Sequence, residues 1–198
     1  MKTVVFTQRV EVIESYNERR DCADQRISSF IFACGYLPVP LPNNPVYVGE
    51  IIKQASPAGI MLTGGNSLVI YGGNAPERDE TDRLLIDIAI RNKLPLYGFC
   101  RGMQSLLDYF GEKLQNVQNH VAVRHKVSGE ISRTTNSYHN QACVSLKSCE
   151  LEVLSKSDDG IIEAIRHKSL PLVATMWHPE RESPFVNDDI HFVQKLFK

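Results

Sequence analysis

Short apolar runs alternate with longer segments of helical periodicity over the first half of the chain. Three runs have the length and composition of buried strands, at Lys2–Thr7, Gly59–Leu62 and Leu94–Phe99. The segments around them predict helices at Ser15–Ala33, Tyr47–Ala55, Arg78–Asn92 and Gln104–Phe110, with a short extended piece at Tyr36–Pro42. Strands that alternate with helices predict a parallel sheet with right-handed crossover connections.

The pattern changes after about residue 120, where short apolar runs follow one another without helices between them. The candidate strands are Val121–Val123, Ala142–Leu146, Leu151–Lys156, Gly160–Arg166 and Pro171–Trp177, and a helix at Ile190–Phe197 follows. The sequence therefore predicts an α/β fold, in which helices flank a mostly parallel central sheet with a small antiparallel addition. No repeat, low-complexity segment or linker divides residues 1–198, which predicts a single domain.

Composition excludes several classes of protein. The net charge is −1 and no block of Lys and Arg is present, which argues against nucleic-acid binding. No stretch approaches the roughly 20 apolar residues that cross a bilayer, and the apolar run near Met1 is too short for a signal peptide. Five cysteines without regular spacing predict reduced thiols in the cytoplasm.

The segment Leu94–Gln104 carries the strongest chemical signal. An apolar run ends at Gly98, Cys100 follows, and Gly102 precedes a helix-like stretch, as in a nucleophile elbow with Cys in place of Ser. Small residues at positions 98 and 102 let a strand and a helix follow each other through a tight, strained turn. The sulfur then lies beside the first N–H groups of a helix, which favours a thiolate.

A base and its partner lie further along the chain, in Trp177–Glu180. His178 has an imidazole that titrates near neutral pH. Glu180 is two residues later, so in extended backbone it points to the same side and can accept the other ring N–H. The order Cys, His, Glu predicts a catalytic triad of Cys100, His178 and Glu180.

Together these motifs resemble the class I glutamine amidotransferases, and the chain as a whole resembles their γ-glutamyl hydrolase branch. Other segments that match in the family's order are Leu62–Gly65, Arg78–Asp82, Cys100–Gln104 and Asn136–His139. The resemblance implies a flavodoxin-like sheet, covalent catalysis by Cys100, and no metal or organic cofactor. A lone cysteine in a buried turn is the simpler alternative for Cys100, and the two downstream residues argue against it.

The resemblance also implies roles for residues around the triad. Gly65 and Arg101 would supply the backbone N–H groups of an oxyanion hole. Gln104 would face the γ-glutamyl group, and a loop would bind its α-amino and α-carboxylate groups through Tyr138, His139, Asn140 and Gln141. A tight turn alone is the alternative for Gly65, and a plain polar helix position is the alternative for Gln104.

The implied partner is a small γ-glutamyl substrate, with cytidine diphosphate amidate as the leaving group, in a step toward phosphoramidate decoration of bacterial capsules. Donors for its phosphates would come from Arg9, Arg19, Arg20, Arg124 or Arg181. A glutaminase subunit that feeds ammonia to a separate synthetase would carry the same triad. A non-catalytic interaction protein is a third hypothesis, against which the complete triad argues. A homodimer is compatible with each hypothesis.

The remaining histidines predict no metal site. No Cys-x-x-Cys pair is present, and no two histidines have the spacing of metal ligands on one helix. His139 is expected near the catalytic residues through its loop. His120, His125, His167 and His191 are expected to be surface or structural residues.

Overall fold

The computed structural model describes all residues from Met1 to Lys198. In chain order the strands are β1 (Thr3–Phe6), β2 (Arg9–Ile13), β3 (Glu18–Cys22), β4 (Leu37–Pro40), β5 (Gly59–Leu62), β6 (Leu96–Phe99), β7 (Gln115–Asn116), β8 (Val121–Gly129), β9 (Arg133–Tyr138), β10 (Gln141–Ala142), β11 (Leu151–Ser157), β12 (Ile162–His167) and β13 (Leu172–Thr175). The helices are α1 (Gln25–Ala33), α2 (Pro45–Ala55), α3 (Pro76–Asn92), α4 (Arg101–Tyr109) and α5 (Asn187–Leu196). No helix combines the length and the hydropathy that a membrane crossing requires.

Nine strands form one sheet in the order β4-β1-β5-β6-β13-β12-β11-β8-β9. The pairs from β4 to β13 are parallel, and every pair from β13 to β9 is antiparallel. The predicted fold class, a mostly parallel sheet flanked by helices with an antiparallel addition, is therefore confirmed. Strand β13 belongs to both parts, because it pairs in parallel with β6 and in antiparallel with β12.

Helices bury both faces of the parallel part, which explains its continuous apolar runs. On one face, Val4 and Phe6 of β1 pack in a cluster that includes Phe30 of α1 and Phe197. On the other face, Val5 packs with residues of α2, α3 and α4. The alternation of Val4, Val5 and Phe6 between the two clusters follows from the two-residue period of a strand.

The predicted helix at Ser15–Ala33 is wrong over its first half. β2 and β3 form a separate antiparallel hairpin, and α1 begins only at Gln25. Asp24 sets this start, since its side chain accepts a hydrogen bond from Arg26 N at 2.9 Å. The hairpin was missed because most of its side chains are exposed and leave no apolar stripe in the sequence.

Two predictions in the antiparallel part also need correction. The strand predicted at Val121–Val123 continues to Gly129 and pairs with β9, which was not predicted because Arg133–Tyr138 is polar. The strand predicted at Ala142–Leu146 is wrong beyond Ala142. Only Gln141 and Ala142 pair there, with the short strand β7, and the residues that follow form turns.

Candidate active site

The predicted catalytic residues come from three neighbouring strands. Residues 63–65 follow β5, Cys100 follows β6, and His178 lies three residues beyond the end of β13. These strands are adjacent and parallel in the sheet. Their carboxyl ends therefore meet at one edge, which is where open α/β sheets bind their ligands.

Cys100 lies in the strained turn that its sequence predicts. Its φ of 51° and ψ of −109° fall outside the usual regions for a non-glycine residue. Its N–H donates to Thr175 O at 2.8 Å, and its carbonyl accepts from Met103 N at 3.0 Å as α4 begins. The sheet and the helix thus fix the backbone of Cys100 from both sides.

Close packing explains the two elbow glycines. A Cβ at Gly98 would lie 2.8 Å from the carbonyl carbon and oxygen of Gly102. A Cβ at Gly102 would overlap the carbonyl of Leu62 on β5. Backbone atoms occupy both places, so a side chain at either position requires the strand and helix to separate.

His178 connects the nucleophile to the acid. Its Nδ1 lies 2.6 Å from Glu180 Oε1, and its imidazole lies close enough to the Cys100 thiol to raise its own pKa. All three residues are buried. The arrangement matches the roles of nucleophile, base and orienting acid, and those roles remain predictions.

Asn136 on β9 holds the backbone of His178. Its Oδ1 accepts from His178 N at 2.9 Å, and its Nδ2 donates to His178 O at 2.8 Å. The His178 ring packs between Phe99 and Tyr138, with centroid separations of 5.5 and 5.6 Å. Asn136 had no assigned role in the sequence, because the pairing of β9 that brings it here was not predicted.

The two titrating groups of the pair stabilise each other's charged forms. Burial raises the pKa of Cys100, but the charge and hydrogen bond of His178 and the N–H of Arg101 lower it more, so its net shift is downward. Burial lowers the pKa of His178, but Cys100 and Glu180 raise it to about 9. Each group therefore favours the charged form of the other, a thiolate beside an imidazolium.

The predicted oxyanion donors lie on either side of Cys100. The Arg101 backbone N–H lies beside the Cys100 sulfur and lowers the pKa of its thiol. Gly65 has a φ of +89°, and Gly64 approaches His178 so closely that a Cβ there would lie 2.7 Å from its Cε1. The loop thus borders the catalytic pair, and the donor roles of Gly65 and Arg101 remain predictions.

A buried arginine fixes that loop from behind. Arg78 Nη1 donates to Gly65 O at 2.6 Å, and Nη2 donates to Thr63 O at 2.9 Å and Gly64 O at 2.8 Å. Burial lowers the pKa of Arg78 to about 9, which leaves the guanidinium charged at neutral pH. Arg78 belongs to the Arg78–Asp82 segment that resembles the amidotransferase family. Its role here is structural, since three loop carbonyls that accept from one rigid guanidinium fix the shape of the loop.

Two contacts connect Gln104 to the rest of the predicted substrate loop. Gln104 Nε2 donates to Gln141 O at 2.9 Å, and Gln141 Nε2 donates to Tyr71 O at 3.2 Å. Tyr138 is exposed and lies under the guanidinium of Arg181, 4.3 Å from its ring centroid. Their substrate contacts remain predictions.

The other two loop residues point in different directions. His139 is buried, and its Nε2 lies 3.4 Å from Glu163 Oε1. Asn140 is exposed on the turn before β10. The structure thus places His139 against Glu163 on β12 and places Asn140 at the surface.

A cavity of about 210 Å³ opens beside the triad. His178 and Glu180 form part of its wall, together with Gly64 and Gly65. The β2–β3 hairpin contributes Arg9 and Cys22, so the element that the sequence pattern missed forms one side of the candidate site.

Comparison with known proteins agrees with this geometry. The model of the glutamine amidotransferase class-I family matches residues 27–193, and the chain belongs to this family. It is 31% identical to gamma-glutamyl-CDP-amidate hydrolase of Campylobacter jejuni over 193 residues, which covers 93% of each chain. It is 27% identical to gamma-glutamyl-gamma-aminobutyrate hydrolase of Escherichia coli O157:H7, over 92% of this chain and 89% of that one.

A solved structure shows the same fold. The crystal structure of a Thermoplasma acidophilum protein, assigned as one of the subunits of a GMP synthase, superposes with a TM-score of 0.74 at 17% identity, over 100% of this chain and 93% of that chain. The comparisons confirm the predicted family, the predicted fold class and the prediction of an enzyme in this family.

Proposed function

We propose that the protein hydrolyses a γ-glutamyl amide through a covalent γ-glutamyl thioester. The observation that carries this proposal is the triad geometry, in which Glu180 holds one nitrogen of His178 at 2.6 Å and the His178 imidazole and the Cys100 thiol shift each other's pKa. That arrangement supplies both the charged nucleophile and the proton that the leaving nitrogen needs.

The reaction follows from these contacts. The Cys100 thiolate attacks the γ-carbonyl, and the N–H groups of Gly65 and Arg101 stabilise the oxyanion, each by about 3–4 kcal/mol. His178 donates its proton to the leaving nitrogen, the C–N bond breaks, and the thioester remains. Water then gives a proton to His178, attacks the thioester and releases glutamate, and Cys100 leaves as the thiolate.

A cytidine diphosphate amidate is the leaving group that we propose. The Campylobacter relative named for that substrate covers nearly the whole chain. Among the five candidate arginines, Arg9 and Arg181 line the cavity beside the triad. The other three do not line this cavity. All five pair with an acidic side chain, namely Arg9 with Glu11, Arg181 with Glu180, Arg19 with Glu77, Arg20 with Glu18 and Arg124 with Glu182. Arg9 and Arg181 are therefore the donors that we assign to the phosphates, in a reaction that we place in the cytoplasm and in capsule biosynthesis.

A glutaminase subunit is the second candidate, because the solved structure with the same fold is assigned as part of a synthase. Such a protein would use the same triad, but would need a partner to become active. The two arginines of the cavity favour a free hydrolase, since free glutamine has no phosphate for them to bind.

The deciding experiment compares glutamate release by the purified chain from glutamine, a γ-glutamyl amine and γ-glutamyl-CDP-amidate. We expect the highest kcat/KM for the nucleotide amidate. Arg9→Gln should lower that value by about tenfold while leaving glutamine turnover unchanged, in line with about 1.4 kcal/mol per lost phosphate contact. Arg181→Gln should lower it by at least as much, and glutamine turnover should fall as well, because Arg181 contacts Glu180 and Tyr138.

Cys100→Ala and Arg20→Gln are the controls, the first inactive on all substrates and the second unchanged on all. A kcat/KM for glutamine equal to that for the nucleotide amidate, or activity that arises only with a second protein, would favour the hypothesis of a glutaminase subunit. Retained turnover in Cys100→Ala would refute the triad itself.

A further inference from the structure

A second cluster of titratable groups lies outside the triad, at the end of the antiparallel part of the sheet. It consists of His120, His125, His139 and Glu163, which we call the histidine cluster. The ring nitrogens His120 Nδ1, His125 Nε2 and His139 Nε2 lie 3.5, 3.5 and 3.4 Å from the single oxygen Glu163 Oε1. His120 directly precedes β8, His125 lies within β8, His139 directly follows β9, and Glu163 lies on β12.

The cluster contains an unusual number of buried polar atoms without a hydrogen-bond partner. Both carboxylate oxygens of Glu163, both ring nitrogens of His139, His120 Nδ1 and His125 Nε2 have none. Glu163 is fully buried, and His120 and His139 are nearly so. Buried polar atoms are normally hydrogen bonded, so this arrangement indicates that another group satisfies them.

The three separations from Glu163 Oε1 match the spacing of ligands around a cation. In a tetrahedral zinc site with bonds of 2.0–2.1 Å, the ligand atoms are separated by about 3.3–3.4 Å. The three N···O separations here are within about 0.2 Å of that edge length. The same separations are too long for good N–H···O hydrogen bonds, which are about 2.7–3.2 Å. The candidate ligand atoms of His120, His125 and Glu163 all lie within 4.8 Å of one another. That limit is wider than the tetrahedral edge, so binding requires the imidazoles to close around the ion.

The outer contacts agree with metal ligation. His120 Nε2 lies 2.9 Å from Asp159 Oδ2, so the proton of this ring sits on Nε2 and the lone pair of Nδ1 faces Glu163. A carboxylate behind a ligating imidazole is the usual way to fix its tautomer. Three neutral imidazoles and one carboxylate form a donor set that suits Zn²⁺ better than Mg²⁺ or Ca²⁺, which prefer oxygen ligands.

We propose that the histidine cluster binds one Zn²⁺ ion through His120 Nδ1, His125 Nε2, His139 Nε2 and a Glu163 oxygen. With four protein ligands the site is closed, and its role is structural. The ion connects β8, β9 and β12, and it holds His139 next to Tyr138, whose ring packs on His178. The zinc thereby fixes the predicted substrate loop. The proposal does not depend on the reaction that the triad catalyses.

The test measures zinc stoichiometry in the full chain. After incubation with Zn²⁺ and removal of free metal on a gel-filtration column, we expect about one Zn²⁺ per chain by elemental analysis. Glu163→Gln and His125→Gln should bind at least about 100-fold more weakly. Cobalt(II) in place of zinc should give the intense visible absorption of a tetrahedral site, which both variants should lack.

Two controls separate this site from other ways of binding metal. His191→Ala removes an exposed histidine of α5 and should leave one Zn²⁺ per chain. Cys100→Ala removes the other strong metal ligand near a histidine and should also retain it. His125 is partly exposed, so His125→Gln decides the matter if Glu163→Gln fails to fold.

Stability gives an independent readout. Free Zn²⁺ at 100 times its Kd should raise the Tm of the natural chain by roughly 5–10 °C and leave the Tm of His125→Gln unchanged. Absence of tight zinc binding by the natural chain, equal binding by His125→Gln, or loss of zinc in Cys100→Ala would each overturn the proposal. The first result would mean that protons alone balance the charge of Glu163.

Discussion

At the scale of single residues, the five cysteines differ in environment. Burial raises the pKa of Cys34 to about 12 and also raises that of Cys143. Cys100 is equally buried but has a lowered pKa, because His178 and the Arg101 N–H stabilise its thiolate. The cation and the N–H groups beside the sulfur, rather than its burial, therefore decide which buried thiol is reactive.

This difference predicts the pH dependence of alkylation. The pKa of Cys100 is lowered and that of His178 is raised to about 9, so the charged pair persists to lower pH than an isolated thiolate would. The rate of Cys100 labelling by iodoacetamide should therefore fall less steeply below about pH 8.5 than that of an ordinary thiol. In His178→Asn it should fall about tenfold per pH unit below the thiol's raised pKa. Peptide mass spectrometry gives the rate at each cysteine, and a steep slope in the natural chain would contradict the ion pair.

His178 and Glu180 should differ in their effect on turnover. His178→Asn removes both proton transfers and should lower kcat by about 10⁴-fold or more. Glu180→Gln keeps a hydrogen-bond partner for Nδ1 but loses the negative charge that stabilises the imidazolium, so its effect should be smaller. Steady-state kinetics of the two variants on one γ-glutamyl substrate provide the comparison. An equal loss in both would show that Glu180 does more than orient and stabilise the ring.

At the scale of elements, the elbow depends on contact between backbones. Gly102→Ala should lower the free energy of unfolding by about 3 kcal/mol, because its Cβ would overlap the Leu62 carbonyl. Gly49→Ala is the matched control, since it lies within α2 and a Cβ there has nothing within 4 Å. It should be neutral or stabilise by up to about 1 kcal/mol. Urea unfolding measures both, and a neutral Gly102→Ala would mean that the elbow can open.

The elements that could be predicted are those whose geometry follows from a local sequence pattern. The turn at Gly98–Gly102 can be predicted from its own residues, because only glycine fits where the strand and the helix are in contact. His178 and Glu180 were found because a two-residue spacing in extended backbone suffices to place them together. The β2–β3 hairpin gave no such signal, because its exposed polar strands contact the rest of the chain through a few side chains, such as Asn43 with Asp21.

The proximity of the residues in the histidine cluster could not be predicted from sequence patterns. His120, His125, His139 and Glu163 have no regular spacing, and their proximity depends on the pairing of β8 with β9 and of β12 with β11. The prediction that His139 lies near the catalytic residues rested on its loop alone. The absence of any two-histidine motif on a helix said nothing about ligands that a sheet assembles.

At the scale of the whole molecule, the strands that carry the candidate active site should be the part of the sheet most protected from hydrogen exchange. β6 and β13 are central strands, and Cys100 N donates to Thr175 O across the pair. Amide hydrogens of these strands should exchange only through global unfolding. Amides of the β2–β3 hairpin, which forms its own two-stranded sheet, should exchange at least about 100-fold faster. Native-state hydrogen exchange with mass spectrometry tests this, and equal rates would mean that the hairpin unfolds only with the domain.

The place of β13 between β6 and β12 has a consequence for synthesis. β6 is complete about halfway through translation, but its neighbour on one side consists of residues 172–175, so a long stretch of chain must emerge before that edge is covered. Until then the growing polypeptide has an apolar strand with unpaired N–H and C=O groups beside its future nucleophile, which invites misassociation. Chaperones that shield nascent chains would therefore have their largest effect on the yield of this protein in that interval.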